Sequence, residues 1–163
     1  MMFKKFAIAA PLAVLALGSS MAFAAGEARH SISLIAHVPT NGFYVVPTDA
    51  DLVNKDQDMS FQPSTGKMRE VTGFFDVRNN NGSVHASLES VPKLIAGATT
   101  IDLRVEFNNK ALTTTPQMVV GESESDVNFR APLRISALGS SFAPGDYTGA
   151  VTMMFDAVPP VAP

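Results

Sequence analysis

The sequence contains no cysteine and no tryptophan. Without cysteine no disulfide can brace the fold, and thiolate catalysis and thiolate metal sites are excluded. Stability must come from packing or from other chains. Aromatic residues are limited to 11 Phe and 2 Tyr, so the stacked-ring platform of common sugar-binding proteins is not evident. Basic residues are also few. Removing Lys4 and Lys5, which lie in a leader, from the 12 basic residues leaves ten against 15 acidic ones. A mildly acidic surface argues against nucleic acid or an anionic membrane face as partner.

An apolar run opens the chain. Lys4 and Lys5 form a basic start, Phe6 to Leu17 an apolar stretch of about twelve residues, and Ala22-Phe23-Ala24 a small-x-small site. A membrane-spanning helix needs about twenty apolar residues, and Gly18-Ser19-Ser20 interrupts this one first. The pattern predicts a secretion signal over residues 1–24, cleaved between Ala24 and Ala25. Residues 25–163 then suit one domain with a single core.

Period-two alternation recurs through that remainder, and helical periodicity is hard to find. Ile101, Leu103, Val105 and Phe107 alternate with Asp102, Arg104 and Glu106, the pattern of a strand with one buried face. Tyr147, Gly149, Val151, Met153 and Phe155 alternate in the same way, and this last strand is expected to end at Asp156. Further strands are expected at Phe43 to Val46, Met59 to Gln62, Met68 to Arg78, Val84 to Glu89, Met118 to Val120 and Val127 to Ala137. Pro132 predicts that the last of these is two pieces or an edge strand. Turns are expected at Pro63 to Gly66, Asn79 to Gly82, Asn108-Asn109 and Pro144 to Asp146, with Asn81-Gly82 the clearest hairpin signal. About seven to nine short strands and no long helix point to an all-β, immunoglobulin-like antiparallel sandwich, with a closed barrel as the alternative.

Before the first of these lies another alternating segment. Ile32, Leu34, Ala36 and Val38 fall on one face, and Pro39 closes the run. On pattern, this is the first strand of the domain's own sandwich. The candidates for chemistry are weaker. His30 and His37 are seven apart, so in a strand they face opposite sides, and His85 has no Cys or acidic cluster spaced to join it. Asp49, Asp51, Asp56 and Asp58 lack the spacing, central glycine and closing glutamate of a calcium loop. Gly121 to Asp126 reads as an acidic surface loop. No Gly-x-Ser-x-Gly elbow is present. No catalytic residue, metal ligand or cofactor is assigned, and the chain is not read as an enzyme.

Five segments carry a resemblance over nearly all of the mature chain. They are Ile32-Ser-Leu-Ile-Ala-His-Val-Pro39, Met59-Ser-Phe-Gln-Pro-Ser-Thr-Gly-Lys-Met68, Val84-His-Ala-Ser-Leu-Glu-Ser-Val-Pro-Lys-Leu94, Val105-Glu-Phe-Asn-Asn-Lys-Ala-Leu-Thr-Thr-Thr115 and Ala143-Pro-Gly-Asp-Tyr-Thr-Gly-Ala-Val-Thr-Met153. In order and spacing they resemble the major subunits of colonization-factor-antigen fimbriae, the alpha class of the alternate chaperone-usher pathway, which includes the cable pilins. The resemblance implies an incomplete sandwich lacking its last strand, completed by the N-terminal extension of the next subunit. It implies a donor-strand extension over 25–40, an immunoglobulin-like pilin domain over 41–157 and a Pro-rich tail over 158–163. Ile32, Leu34, Ala36 and Val38 become the donor knobs, and Tyr147, Val151, Met153 and Phe155 part of the acceptor groove. The implied partners are identical subunits in a homopolymer, a periplasmic chaperone, an outer-membrane usher and a tip adhesin, and the implied location is a surface fimbria that supports adhesion. The alternative is a self-complete secreted sandwich that binds sugar or protein.

Overall fold

Short strands, as the period-two pattern requires, make up the architecture of the computed structural model, which describes residues 42–160. In chain order they are β1 (Phe43–Pro47), β2 (Phe61–Gln62), β3 (Lys67–Met68), β4 (Val71–Asn79), β5 (Ser83–Leu88), β6 (Lys93–Ala96), β7 (Thr99–Phe107), β8 (Lys110–Ala111), β9 (Gln117–Val120), β10 (Phe129–Ala137) and β11 (Met153–Val158). Single helical turns, α1 (Asp51–Asn54) and α2 (Glu122–Ser125), interrupt them. The larger sheet runs β1-β4-β10-β7-β6, with β8 hairpinned onto β7, and the smaller runs β11-β5-β9. All pairings are antiparallel. The two sheets make a sandwich, not a closed barrel.

Strand parity sets the core. Ile101, Leu103, Val105 and Phe107 of β7 are buried, as are Phe75 and Val77 of β4, Ala131 and Leu133 of β10, and Val84, Ala86 and Leu88 of β5. Phe107 forms the centre. Its ring lies 5.6 Å from that of Phe75 in the same sheet and 4.9 Å from that of Phe155 in the other. Such aromatic contacts fix orientation as well as burying area.

Three expectations are corrected. The Asn81-Gly82 turn does not close a hairpin, because β4 and β5 belong to different sheets and the turn carries the chain between them. Asn79 holds the crossing, its side-chain amide donating to the Ser83 carbonyl at 2.8 Å and its side-chain oxygen accepting from the Asn81 N–H at 3.2 Å. Gly82 has φ of 123°, and a Cβ there would run into the backbone carbonyl of Val158. Its own carbonyl accepts a hydrogen bond from the Ser125 hydroxyl at 2.8 Å. The two-residue hairpin lies instead at Asn108-Asn109, both with positive φ, between β7 and β8.

The second correction concerns Pro132, which sits within an unbroken nine-residue strand flanked on both sides. Pairing of β10 with β7 begins only at Leu133. The Pro132 carbonyl accepts from the Asn108 N–H at 2.8 Å, beyond the end of β7. A residue's carbonyl and nitrogen face the same side of a strand, so the missing donor falls where β7 has already turned away. Third, Tyr147 to Phe155 is not one strand. Thr148 makes a single bridge to Ile95 of β6, in the larger sheet, whereas β11 pairs with β5 from Met153 to Val158. The segment changes sheets between these points, and no ladder can follow it across.

The outer face of the larger sheet carries a charge ladder. Arg134 Nε donates to Glu106 at 2.8 Å, Arg104 Nε donates at 3.1 Å, and Arg130 pairs with Asp76 at 3.0 Å. The hydrogen bond from Arg134, aided by the charge of Arg104, outweighs desolvation and holds the Glu106 carboxyl below its ordinary value of 4.5. A depressed carboxylate stabilises the fold fully above its unfolded pKa, and that stabilisation is lost as pH falls through the folded value. Glu106→Gln is therefore expected to lower the urea midpoint at neutral pH, with the gap from wild type narrowing between about pH 6 and about pH 3. A gap that stays constant over that range would count against this account. Gly82→Ala combines a forbidden φ with the Val158 clash and is expected to cost about 2 kcal/mol or more in the same assay.

Candidate functional site: an open apolar cleft

The sandwich is not sealed. A cleft of about 710 Å3 lies over the inner face of the larger sheet. Its floor is Val71 and Phe75 of β4, Leu133 and Ile135 of β10, Leu103 of β7 and Leu94 of β6. These are the inward members of their strands, so the parity that builds the core also paints the cleft. One wall is the chain from Leu52 to Phe61, and the other runs from Gly145 to Met153.

Each wall has a local cause. Leu52 of α1 lies against Gly73 of β4, where a Cβ would collide with the leucine methyls, and this draws α1 onto the sheet. Lys55 pairs with Asp51 at 2.7 Å, and the Asp51 N–H is accepted by the Asp49 side chain at 2.9 Å. Those two carboxylates thus finish a helical turn. Among the described residues, no group of three or more His, Cys, Asp or Glu is placed to hold a metal ion. The opposite wall is held by the Thr148–Ile95 bridge, with backbone hydrogen bonds of 2.8 and 3.1 Å, and by the Glu89 N–H donating to the Thr152 carbonyl at 3.1 Å.

Of the groove residues expected from the sequence, Tyr147, Val151 and Met153 line the cleft. The Tyr147 hydroxyl donates to the Ala143 carbonyl at 2.9 Å, which turns its ring along the wall. Phe155 is turned instead towards Phe107 and Phe75 and packs, partly buried, against the core. The floor and the Leu52 to Phe61 wall were not assigned from the sequence. Inward parity could have pointed to Val71, Leu103, Leu133 and Ile135, but only the fold shows that no strand covers them among the described residues. Ile32, Leu34, Ala36, Val38, Ala24 and Ala25, with His30 and His37, lie outside the described residues. His85 is half-buried on β5, opposite Asp156 of β11 and Met118 of β9.

β11 pairs with β5 along one edge, and among the described residues no strand pairs with its other edge. An open cleft in an immunoglobulin-like sandwich whose last strand has no second partner among the described residues is a pilin-like arrangement. The profile of the CS1 type fimbrial major subunit family matches residues 28–156, and the chain belongs to that family. It is a fimbrial subunit. Comparison with curated protein sequences finds no match. Among solved structures, the chain is similar to the CooA pilin subunit from enterotoxigenic Escherichia coli, at 20% identity and a TM-score of 0.53, over 69% of this chain and 86% of that one. It is also similar to a chain in the chaperone–tip adhesin complex of CFA/I fimbriae biogenesis, at 11% identity and a TM-score of 0.51. That match covers 72% of this chain and 42% of the other.

The difference between Phe155 and its neighbours predicts a mutational contrast. Phe155→Ala removes a partly buried ring packed on Phe107 and Phe75 and is expected to cost about 2 to 4 kcal/mol, more than Val151→Ala, which takes two methyl groups from the cleft wall. Urea midpoints of the two variants test this. Equal losses would place Val151 in a closed core.

Proposed function

We propose that this fimbrial subunit polymerises by strand donation, the segment Arg29 to Val38 of one copy filling the cleft of the next. The observation that carries the reading is the cleft over the inner face of the larger sheet, in a sandwich whose last strand, β11, has no second partner among the described residues. An added strand would give that edge main-chain hydrogen bonds, while alternate side chains entered the cleft. Ile32, Leu34, Ala36 and Val38 have the required spacing of two.

Magnitudes support the choice. Burying Ile32, Leu34 and Val38 at about 1.5 to 3 kcal/mol each amounts to several kcal/mol gross, before the cost of ordering the strand. That is comparable with the whole stability of a small domain. Donor and acceptor are unlike surfaces, so the contact is head-to-tail and extends into a filament rather than closing. A free subunit with an open edge and cleft is an aggregation hazard, which accounts for a periplasmic chaperone before an outer-membrane usher receives it. The likeness to a chain from a chaperone–tip adhesin complex fits that route. Many copies on one filament would give adhesion its avidity, with the tip adhesin at the end.

Moving residues 29–39 to the C-terminus through a short linker is expected to yield a stable monomer. Deleting them is expected to abolish filaments while leaving chaperone binding intact. Leu34→Asp places a charge in the cleft and is expected to stop assembly, read by electron microscopy and by laddering on unheated gels. Filaments formed by the deletion variant would sink the reading in favour of a self-complete domain.

A further inference from the structure

The larger sheet has two unlike ends. At one, β1 begins at Phe43 opposite Asn79, just after Gly42, whose carbonyl accepts from the Asn80 N–H at 2.9 Å. At the other, β6 ends at Ala96 opposite Thr99, and the cleft extends towards it over Leu103 and Leu94. Asp146 stands at this second end. It lines the cleft and is exposed, and a Cβ on the preceding Gly145 would meet the Ala96 side chain at 3.4 Å. Arg78 belongs to the first end. It lies opposite Tyr44, whose hydroxyl donates across β4 to the Asn128 side-chain oxygen at 3.2 Å. Those two groups satisfy each other, while Arg78 Nε is buried without a hydrogen-bond partner. Among the described residues no carboxylate pairs with Arg78 and no cation with Asp146, although Asp51, Asp76, Asp102 and Glu106 all have partners.

We propose, on the strand-donation reading, that Arg78 of one copy pairs with Asp146 of the copy that receives its strand, and that this pair fixes how the two subunits are rotated about their junction. Covalent reach brings the two ends together. β11 runs from Met153, on the cleft, to Val158, whose carbonyl lies against Gly82 beyond the end of β4. A donor lying antiparallel to β11 therefore leaves the cleft at the Met153 end, on the side of Asp146. From Val38 to Gly42 the chain spans at most about 14 Å, so the Gly42 end of the donor must abut the Asp146 end of the acceptor. Reach leaves rotation open. Glu122 and Asp126 flank the Gly42 end beside Asn79 and Asn80, and Asp56 and Asp58 line the cleft with Asp146. Rotations that bring these acids together are disfavoured, whereas the one that brings Arg78 to Asp146 satisfies both charges. Arg78 and Asp146 are thus positioning residues.

The absence of cysteine makes one test clean. Fimbriae of full-length subunits carrying both Arg78→Cys and Asp146→Cys are treated with a short bis-maleimide cross-linker. Ladders that survive boiling are expected from the double variant and from neither single one. Charge reversal gives a second measurement. Arg78→Glu and Asp146→Arg are each expected to speed the release of subunits from fimbriae in dilute denaturant by about two- to fivefold, an effect that shrinks at high salt. The double exchange is expected to restore the wild-type rate. Arg78→Gln keeps much of the side chain's length and is expected to shift the rate in the same direction by less, which covers any loss of folding by the reversal. No covalent ladder, wild-type release rates in the single variants, or a double exchange no better than the singles each overturns the pair, with Leu34→Asp still stopping assembly. Assembly by Leu34→Asp overturns strand donation itself and the pair with it.

Discussion

The position of Phe155 governs this fold. Its ring sits against Phe107 and Phe75, so the last strand is clamped to the larger sheet through its middle while the segment before it swings back to touch β6 at Thr148. A segment held at those two points cannot lie flat against β10 or β7 along its length. The floor between the two points is left facing the cleft. The core and the open site therefore come from one constraint, with Phe155 on the closed side of it and Met153 and Val151 on the open side.

Charge and apolar surface are kept apart on the larger sheet. Its outer face binds Arg104, Arg134 and Glu106 into one cluster and Arg130 to Asp76, whereas its inner face carries the cleft. A strand entering the cleft would meet an apolar floor there, between walls that also carry Lys55, Asp56, Asp58 and Asp146. Backbone pairing along the free edge of β11 would supply direction and alignment, and the side chains would supply most of the free energy. This division of labour suits a subunit whose contacts must be uniform from copy to copy.

Strand existence and parity were legible in the sequence wherever alternation was clean. Ile101 to Phe107 alternates buried and exposed as its residues imply except at Glu106, which Arg104 and Arg134 cover, and the Asn108-Asn109 turn follows it. The misreadings share a cause, which is that short-range signals do not say which sheet a strand joins. Asn81-Gly82 has the composition of a hairpin, yet what selects glycine there is the carbonyl of Val158, some seventy-five residues further on. Pro132 signals an edge only if its nitrogen needs a partner, and the early end of β7 removes that need. Tyr147 to Phe155 alternates without a break, but the chain changes sheets within it. The family resemblance named Tyr147, Val151, Met153 and Phe155 together; the first three line the cleft while Phe155 turns to Phe107, because parity gives a face and not a depth. The Leu52 to Phe61 wall had no periodic signal, since it is a helical turn and loop held by Gly73.

A domain without disulfides and with an open cleft over part of its inner face relies on packing alone. On the strand-donation reading that is a condition of assembly rather than a defect. If the isolated domain were closed, the incoming strand would first have to displace something already packed, and a barrier the size of a core segment would stand between subunit and filament. With the floor already open, the strand adds contacts without removing any from the sandwich, so the free energy gained on insertion resides in the polymer. The same burial then resists removal. To leave, a strand must expose its apolar knobs and break an edge ladder together, which slows dissociation much more than it slows entry. On that reading a cysteine-free subunit would build a durable filament, because stability not supplied by disulfides within each domain would be supplied at each junction.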